Sequence, residues 1–188
     1  MRVIAGKFRS RKLESLPGME VRPTSDRLRE TLFDILTAGN PAALEGTVWI
    51  DLYAGTGAVG IEALSRGASM VYFVESAPDA AEVIRKNLAG LGVKSGYQVL
   101  RQDAVRALQA WDKSGIQAGF VFLDPPYAME AAYGQVLSTL SNSALLLPQT
   151  LVVVEHQEKV DPGEQVALLH RYRLLKQGDA ALSFYRRG

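Results

Sequence analysis

What most constrains this chain is a change of rhythm at Thr47. From there to Glu155, short apolar runs alternate with amphipathic segments, and Gly or Pro sits at several of the boundaries. The spacing predicts strands at Val48–Leu52, Met70–Val74, Tyr97–Leu100, Phe120–Leu123 and Leu151–Glu155. Helices are expected between them at Ala58–Arg66, Pro78–Leu91, Ala104–Trp111 and Glu130–Leu140. Strand–helix alternation of this kind implies an α/β domain with a mostly parallel sheet covered on both faces. Two further strands, near Val166–Leu175 and Ala181–Tyr185, have no helix pattern between them and should close the sheet as an antiparallel edge. The expected total is seven strands.

Residues 1–40 read differently and are expected to form a small extension of the 41–188 domain. Arg2, Lys7, Arg9, Arg11 and Lys12 lie in a strand-like segment that ends in the turn signal Leu16-Pro17-Gly18-Met19. Glu20-Val21-Arg22 would return as a hairpin partner, and Pro23-Thr24-Ser25-Asp26 opens a helix with an apolar stripe of Leu28, Leu32, Ile35 and Leu36. Residues 1–39 carry eight Lys/Arg against five Asp/Glu, and residues 170–188 carry five against one. The middle carries eight against fourteen. Basic ends around an acidic centre suggest two surfaces with different partners.

Composition removes several chemistries. The chain has no cysteine, which excludes disulfides, cysteine-ligated metals and thiolate nucleophiles. Its two histidines, His156 and His170, make a multi-histidine metal site untenable, and no metal is expected. The N-terminus lacks an apolar signal core, and the longest apolar stretch is interrupted by Pro148-Gln149-Thr150. A soluble, cytoplasmic, monomeric protein is the expectation.

The first candidate site is Asp51-Leu52-Tyr53-Ala54-Gly55-Thr56-Gly57-Ala58-Val59-Gly60, where a strand runs through a glycine-rich turn into a helix. Gly55, Gly57 and Gly60 satisfy the G-x-G-x-x-G spacing, which serves nicotinamide cofactors as readily as others. Asp51 shifts the balance. A carboxylate at the cradle repels a pyrophosphate but binds an ammonium, such as that of S-adenosylmethionine (SAM). Glu75, at the end of the second strand, is placed to hold ribose hydroxyls, and Asp103 after the third to accept from an adenine amine. Tyr53, Ser76 and Ala104 complete the candidate cofactor set. Asp51, Glu75 and Asp103 lie at the carboxyl ends of three successive strands, where ligands of open α/β sheets bind.

The sharpest motif is Asp124-Pro125-Pro126-Tyr127, directly after the fourth strand. Two prolines cannot continue a central strand, so the chain must leave the sheet here. A rigid exit loop presents the Asp124 carboxylate and a proline carbonyl as paired acceptors for an exocyclic nucleobase amine. Tyr127 is placed to stack on that base.

The cradle followed by D-P-P-Y resembles the Rossmann-like, class I SAM-dependent methyltransferases that modify exocyclic amines. The match to the RsmD-type methyltransferases is closer and covers nearly the whole chain. It includes Arg2-Val3-Ile4-Ala5-Gly6, Arg22 to Glu30, Asp51 to Gly57 and Gly178 to Arg186. Tyr53 and Ala180 stand where that family commonly carries Phe and Thr, outside the residues proposed for chemistry. The resemblance implies methyl transfer to the N2 amine of one guanine, guanine 966 in 16S rRNA of the small ribosomal subunit. S-adenosylhomocysteine would be the product. It also implies that Asp51, Gly55 and Gly57 flank the methionine part of SAM, with Arg22, Thr24 and Arg27 placed to face the site. Alternatives are an adenine-N6 methyltransferase on DNA or RNA, a nicotinamide-dependent oxidoreductase, and a nucleic-acid-binding module with an inactive pocket.

Overall fold

The computed structural model describes residues 1–16, 23–126 and 129–188, with positions 23–25 described for their backbone alone. In chain order the elements are α1 (Pro23–Thr37), β1 (Val48–Leu52), α2 (Ala58–Ser65), β2 (Met70–Val74), α3 (Pro78–Gly90), β3 (Tyr97–Leu100) and α4 (Ala104–Trp111). They continue with β4 (Ala118–Leu123), α5 (Glu130–Ser141), β5 (Leu146–Gln157), β6 (Gln165–Val166), β7 (Leu169–Gln177) and β8 (Ala180–Arg187). The strands form one sheet in the order β3-β2-β1-β4-β5-β8-β7-β6. The first five are parallel, and β8, β7 and β6 are antiparallel. The sheet therefore has eight strands among the described residues rather than seven. The extra one, β6, is a two-residue strand too short to leave a periodic signal.

Side chains alternate across the sheet and divide the core into two layers. Trp49, Phe73, Phe122 and Phe184 face α1, α2 and α3, while Ile50, Leu52, Val121 and Tyr185 face α4 and α5. Phe33 of α1 stacks on Trp49 with ring centroids 5.4 Å apart, and Phe120 stacks on Trp49's indole at the same separation. Val3, Leu13 and the α1 residues Leu28, Leu32 and Leu36 join this first layer. The N-terminal segment thus shares the core of the sheet.

Two local expectations need correction. The hairpin forms within residues 1–13: Arg2 bridges Lys12 around a short 3-10 turn at Gly6–Phe8. The proposed partner at 20–22 lies outside the described residues. The strand expected at Leu151 begins instead at Leu146 and runs through Pro148. Its pairing with β4 slips between Ala118 and Phe120, so the irregularity absorbs the proline, whose missing N–H breaks no regular ladder. Thr150 Oγ1 closes the irregular stretch, donating to the Ala118 carbonyl and accepting from Leu147 N–H (2.9 Å).

A buried carboxylate pins the N-terminal segment to the sheet's helical layer. Glu62 of α2 accepts from the backbone N–H groups of Ile4 (2.8 Å) and Ala5 (2.9 Å) and from Arg66 Nε (2.8 Å). Glu62→Ala leaves these donors without a charged acceptor. The variant should lose about 2–4 kcal/mol of stability, since each orphaned buried donor costs about 1–3 kcal/mol. Urea unfolding reads the loss directly. An unchanged midpoint would show that water takes over the donors.

Candidate active site

The sheet order reverses direction at β1, with β2 and β3 on one side and β4 and β5 on the other. A crevice for ligands opens at such a point, outside the carboxyl ends of the strands. The glycine-rich turn lies there. Nothing lies within 4 Å of where a Cβ on Gly55 would stand, and its φ is +56°, so a ligand can lie against this side of the backbone. Gly60 serves a different purpose. A Cβ there would collide with the Phe73 ring and with Val71, so this glycine lets α2 pack closely on the sheet. Tyr53 holds the left-handed φ of +61°, an uncommon conformation for a non-glycine residue that occurs at functional turns. Burial pushes the Tyr53 hydroxyl pKa upward, and the charge of Asp103 adds a smaller rise.

The loop is braced on both sides. Glu75 accepts from Gly55 N–H through Oε2 (2.9 Å) and from Ala77 N–H through Oε1 (2.8 Å). Asn87 of α3, itself buried, donates to the carbonyl of Thr56 (3.0 Å). The same Asn87 amide clasps Glu14, donating to its carbonyl (3.2 Å) and accepting from its N–H (2.7 Å). One side chain therefore joins the cofactor turn to the N-terminal segment.

Four carboxylates converge on one face of the sheet. The register pairs Asp51 with Phe73 and Phe122, and pairs Phe122 with Val153. Two residues beyond those partners come Glu75, Asp124 and Glu155, continuing the same alternation toward the carboxyl ends. Asp51 is 1% exposed, and its Oδ2 accepts from Gly60 N–H in the first turn of α2 (2.9 Å). Burial pushes its pKa up to about 8, with the charges of Asp124 and Glu75 adding to the rise and the Gly60 hydrogen bond opposing it. Burial likewise raises Asp124 to about 7. Glu155 is raised well above the ordinary carboxylate range by burial and by the charge of Asp124. The opposing cation is Arg29 of α1, 5% exposed, which donates to the Arg2 carbonyl (2.6 Å) and Asp26 (3.0 Å). Its charge favours the ionised form of Glu155, and its Nε has no partner among the described residues. A ligand carrying positive charge would relieve this row, whereas a polyanion would meet repulsion.

Other expected residues fall as follows. Ser76 is exposed beside Glu75, and Ala104 is buried at the start of α4. Asp103 is exposed and caps α4, accepting from Arg106 N–H (3.1 Å), so one oxygen is already engaged. The Pro126 carbonyl accepts from Met129 N–H (2.8 Å), while that of Pro125 has no hydrogen-bond partner among the described residues. Arg2, Lys7, Arg9, Lys12 and Arg27 are exposed. Arg11 caps the end of α3 through the Gly90 carbonyl (2.9 Å). Tyr127, Arg22 and the side chain of Thr24 lie outside the described residues. The structure adds Glu155, Arg29 and Asn87, which no sequence motif singled out. Glu155 alone had a usable signal, an acid closing an apolar strand as Asp51 and Asp124 nearly do.

Comparison with known proteins gives one consistent family. The model of the family "Conserved hypothetical protein 95" matches residues 1–186. YlbH of Bacillus subtilis is 34% identical over 189 residues, covering 100% of this chain and 99% of its own length. Ribosomal RNA small subunit methyltransferase D of Haemophilus influenzae is 35% identical over 187 residues, covering 99% of this chain and 92% of its own. Among solved structures, yhhF of Escherichia coli superposes with a TM-score of 0.82 at 31% identity, covering 100% of this chain and 97% of its own.

Proposed function

The chain belongs to the RsmD-type family of ribosomal RNA methyltransferases, and on that premise we propose that it methylates the N2 amine of a guanine in small-subunit rRNA, of the guanine 966 type, using SAM. The observation that carries this reading is the row of Asp51, Glu75, Asp124 and Glu155 on one sheet face: its negative charge, with Asp51, Asp124 and Glu155 held away from water, disfavours an anionic cofactor and favours a cationic one. When bound, SAM supplies a methyl group on a positively charged sulfur, together with an ammonium. Asp51 would hold the ammonium, Glu75 the ribose, Asp103 and Ala104 the adenine edge, and Gly55 and Gly57 would let the ligand lie against the backbone.

Asp124 and the Pro125 carbonyl would accept the two N–H groups of the guanine amine. Holding that nitrogen about 3–3.5 Å from the methyl carbon and in line supplies much of the rate. The same acceptors stabilise positive charge as it develops on nitrogen. The new bond would be nitrogen to methyl carbon and the bond broken sulfur to methyl carbon, whose electron pair would stay on sulfur in S-adenosylhomocysteine. The surplus amine proton would leave to the Asp124 carboxylate or to water. Tyr127 would stack on the base.

Residues 1–40 would act as an RNA-binding extension, since Arg2, Lys7, Arg9 and Lys12 are exposed on the segment that Asn87 ties, through Glu14, to the cofactor turn. Lys7→Glu, Arg9→Glu and Lys12→Glu together should retain SAM binding and lose RNA affinity by about tenfold or more. Each phosphate left without its basic partner flattens the slope of log affinity against log salt by about 0.7–0.9. Arg11 is left intact because it caps α3. An unchanged slope in filter binding would place the RNA elsewhere.

The deciding experiment is transfer of tritiated methyl groups to naked 16S rRNA and to assembled small subunits, both lacking the modification. N2-methylguanosine in the digest is the expected product. N6-methyladenosine would move the function to the adenine methyltransferases, and tight NAD binding without SAM binding would end the reading.

A further inference from the structure

The antiparallel edge of the sheet carries a cluster that the cofactor and amine sites leave unused. Leu182 and Phe184 of β8 point to the layer holding α1, α2 and α3, and by alternation Arg186 does too. In β7, Arg173 pairs with Phe184 next to a register shift between Arg171 and Arg173, which sets Tyr172 in the irregular position. The Tyr172 ring lies 6.3 Å from that of Phe184, and the Arg186 guanidinium sits 4.8 Å over Tyr172. The Arg173 guanidinium lies 5.8 Å over Phe184.

The neighbouring cations are already engaged. Arg171 pairs with Asp161, Lys176 with Glu158, and Arg187 donates to the Ser143 carbonyl. Arg173 and Arg186 are exposed and have no carboxylate within ion-pair distance among the described residues. Tyr172 keeps 50% of its surface exposed although a buried phenylalanine supports it from beneath. An exposed ring backed by a fixed one and flanked by unpaired guanidinia is the combination that stacks unpaired bases and holds their phosphates.

We propose that Tyr172, Arg173 and Arg186 form a second RNA-contact surface, in which Arg186 swings off the Tyr172 ring it now covers, so that an unpaired base of the substrate strand stacks there while the two arginines take flanking phosphates. The proposal rests on the RNA-methyltransferase reading above. It answers an electrostatic problem: the carboxylate row repels phosphates, so the strand that delivers the guanine must be gripped outside the site. The surface lies within a few nucleotides of the site but not at its mouth. Leu182 pairs with Glu155, and β8 runs antiparallel to β5. Arg186, four residues further along and about 14 Å away at ~3.4 Å per residue, therefore lies past the Val152–Tyr185 pair toward the amino ends of the parallel strands. It also shares its sheet face with the basic N-terminal segment.

The test uses the full chain and transcribed 16S rRNA as probe, with filter binding across a salt series and SAM affinity by calorimetry. Arg173→Glu with Arg186→Glu should weaken RNA binding about tenfold or more and flatten the salt slope, leaving SAM affinity unchanged. Tyr172→Ala should weaken binding about tenfold without changing the slope, and Tyr172→Phe should restore it. If charge reversal impairs folding, Arg173→Gln with Arg186→Gln removes the charges and keeps the side-chain stems. Unchanged RNA affinity in both the arginine pair and Tyr172→Ala overturns the proposal. So does sedimentation showing a wild-type dimer that these variants dissociate, because the face would then be a contact between copies of this chain. Failure of the wild-type chain to methylate or bind RNA would count instead against the parent reading.

Discussion

Asp124→Ala lowers kcat for methyl transfer by about 10²–10³ while the Kd for SAM stays within a few fold. The magnitude is that of removing one preorganised polar partner from a position where charge develops. Asp124 leaves the end of β4 beside a proline pair, so its carboxylate is held by backbone that has little freedom to move. Alanine removes the acceptor and leaves the exit loop intact. Asp124→Asn is the stricter variant: it keeps the shape but offers N–H donors where the amine also offers donors, and should be nearly as impaired. Single-turnover kinetics with rRNA, read beside calorimetry with SAM, separates the two effects. Near-normal turnover would mean that Asp124-Pro125-Pro126 only shapes the turn.

The same carboxylates set opposite pH trends in activity and stability. Asp124 must be ionised to accept both charge and proton, so activity should rise as pH passes about 7. Stability runs the other way. The folded pKa values of Asp51 and Asp124, about 8 and 7, lie above the ordinary 3.8, so the folded state binds more protons than the unfolded one. That stabilising contribution is complete below about pH 4 and is lost as pH rises through 7 and 8. His156 forms the other limb. Burial lowers its pKa below 6.5, so its contribution is present above 6.5 and declines as pH falls below it. Thermal melts of the apoprotein should therefore fall off on both sides. Added SAM should raise Tm more at pH 8 than at pH 6, because its positive charge compensates the row once the carboxylates ionise. An equal SAM effect at both values would separate the row from the cofactor.

How much of this was legible in the sequence depends on whether a residue's role follows from its neighbours. Asp51 with Gly55 and Gly57, and Asp124 with two prolines, announce themselves because glycine and proline change what the backbone can do at fixed offsets. The parallel order of β1 to β5 follows from the length of each crossover. Arg29, Glu62 and Asn87 were not legible. Arg29 and Asn87 sit in helices among polar residues, where sequence cannot distinguish a solvated face from one folded onto a buried partner. Glu62 stands alone in the apolar run Gly60-Ile61-Glu62-Ala63-Leu64, which sets it apart but names no partner, and all three partners are distant in the chain. Glu155 lies between these cases. Its strand was recognisable, but no turn residue follows it to mark the acid as special, and its meaning appears only when Leu123 pairs with Val154 and brings it beside Asp124. The two-residue β6 and the passage of β5 through Pro148 depend on pairing rather than on any local preference.

Asp51→Asn should make the apoprotein more stable and the cofactor site worse. Asp51 is 1% exposed at the start of the glycine-rich turn, and its carboxylate accepts from Gly60 N–H. An asparagine oxygen can accept that bond, so the helix start is preserved. What disappears is a charge held away from water beside the charges of Asp124 and Glu75. Above pH 8, where the carboxylate is ionised, its removal should add about 1–3 kcal/mol, the scale on which buried polar groups without full compensation destabilise proteins. The gain should shrink as pH falls and vanish below about pH 4, where Asp51 is neutral in the folded and the unfolded chain alike. SAM affinity should fall about tenfold to a hundredfold, the loss of one charge-assisted hydrogen bond of about 1.5–3 kcal/mol. A variant that is stabler at high pH yet binds SAM poorly would identify Asp51 as a charge kept for its ligand at the expense of the fold. One that binds SAM normally would reduce Asp51 to a cap for α2.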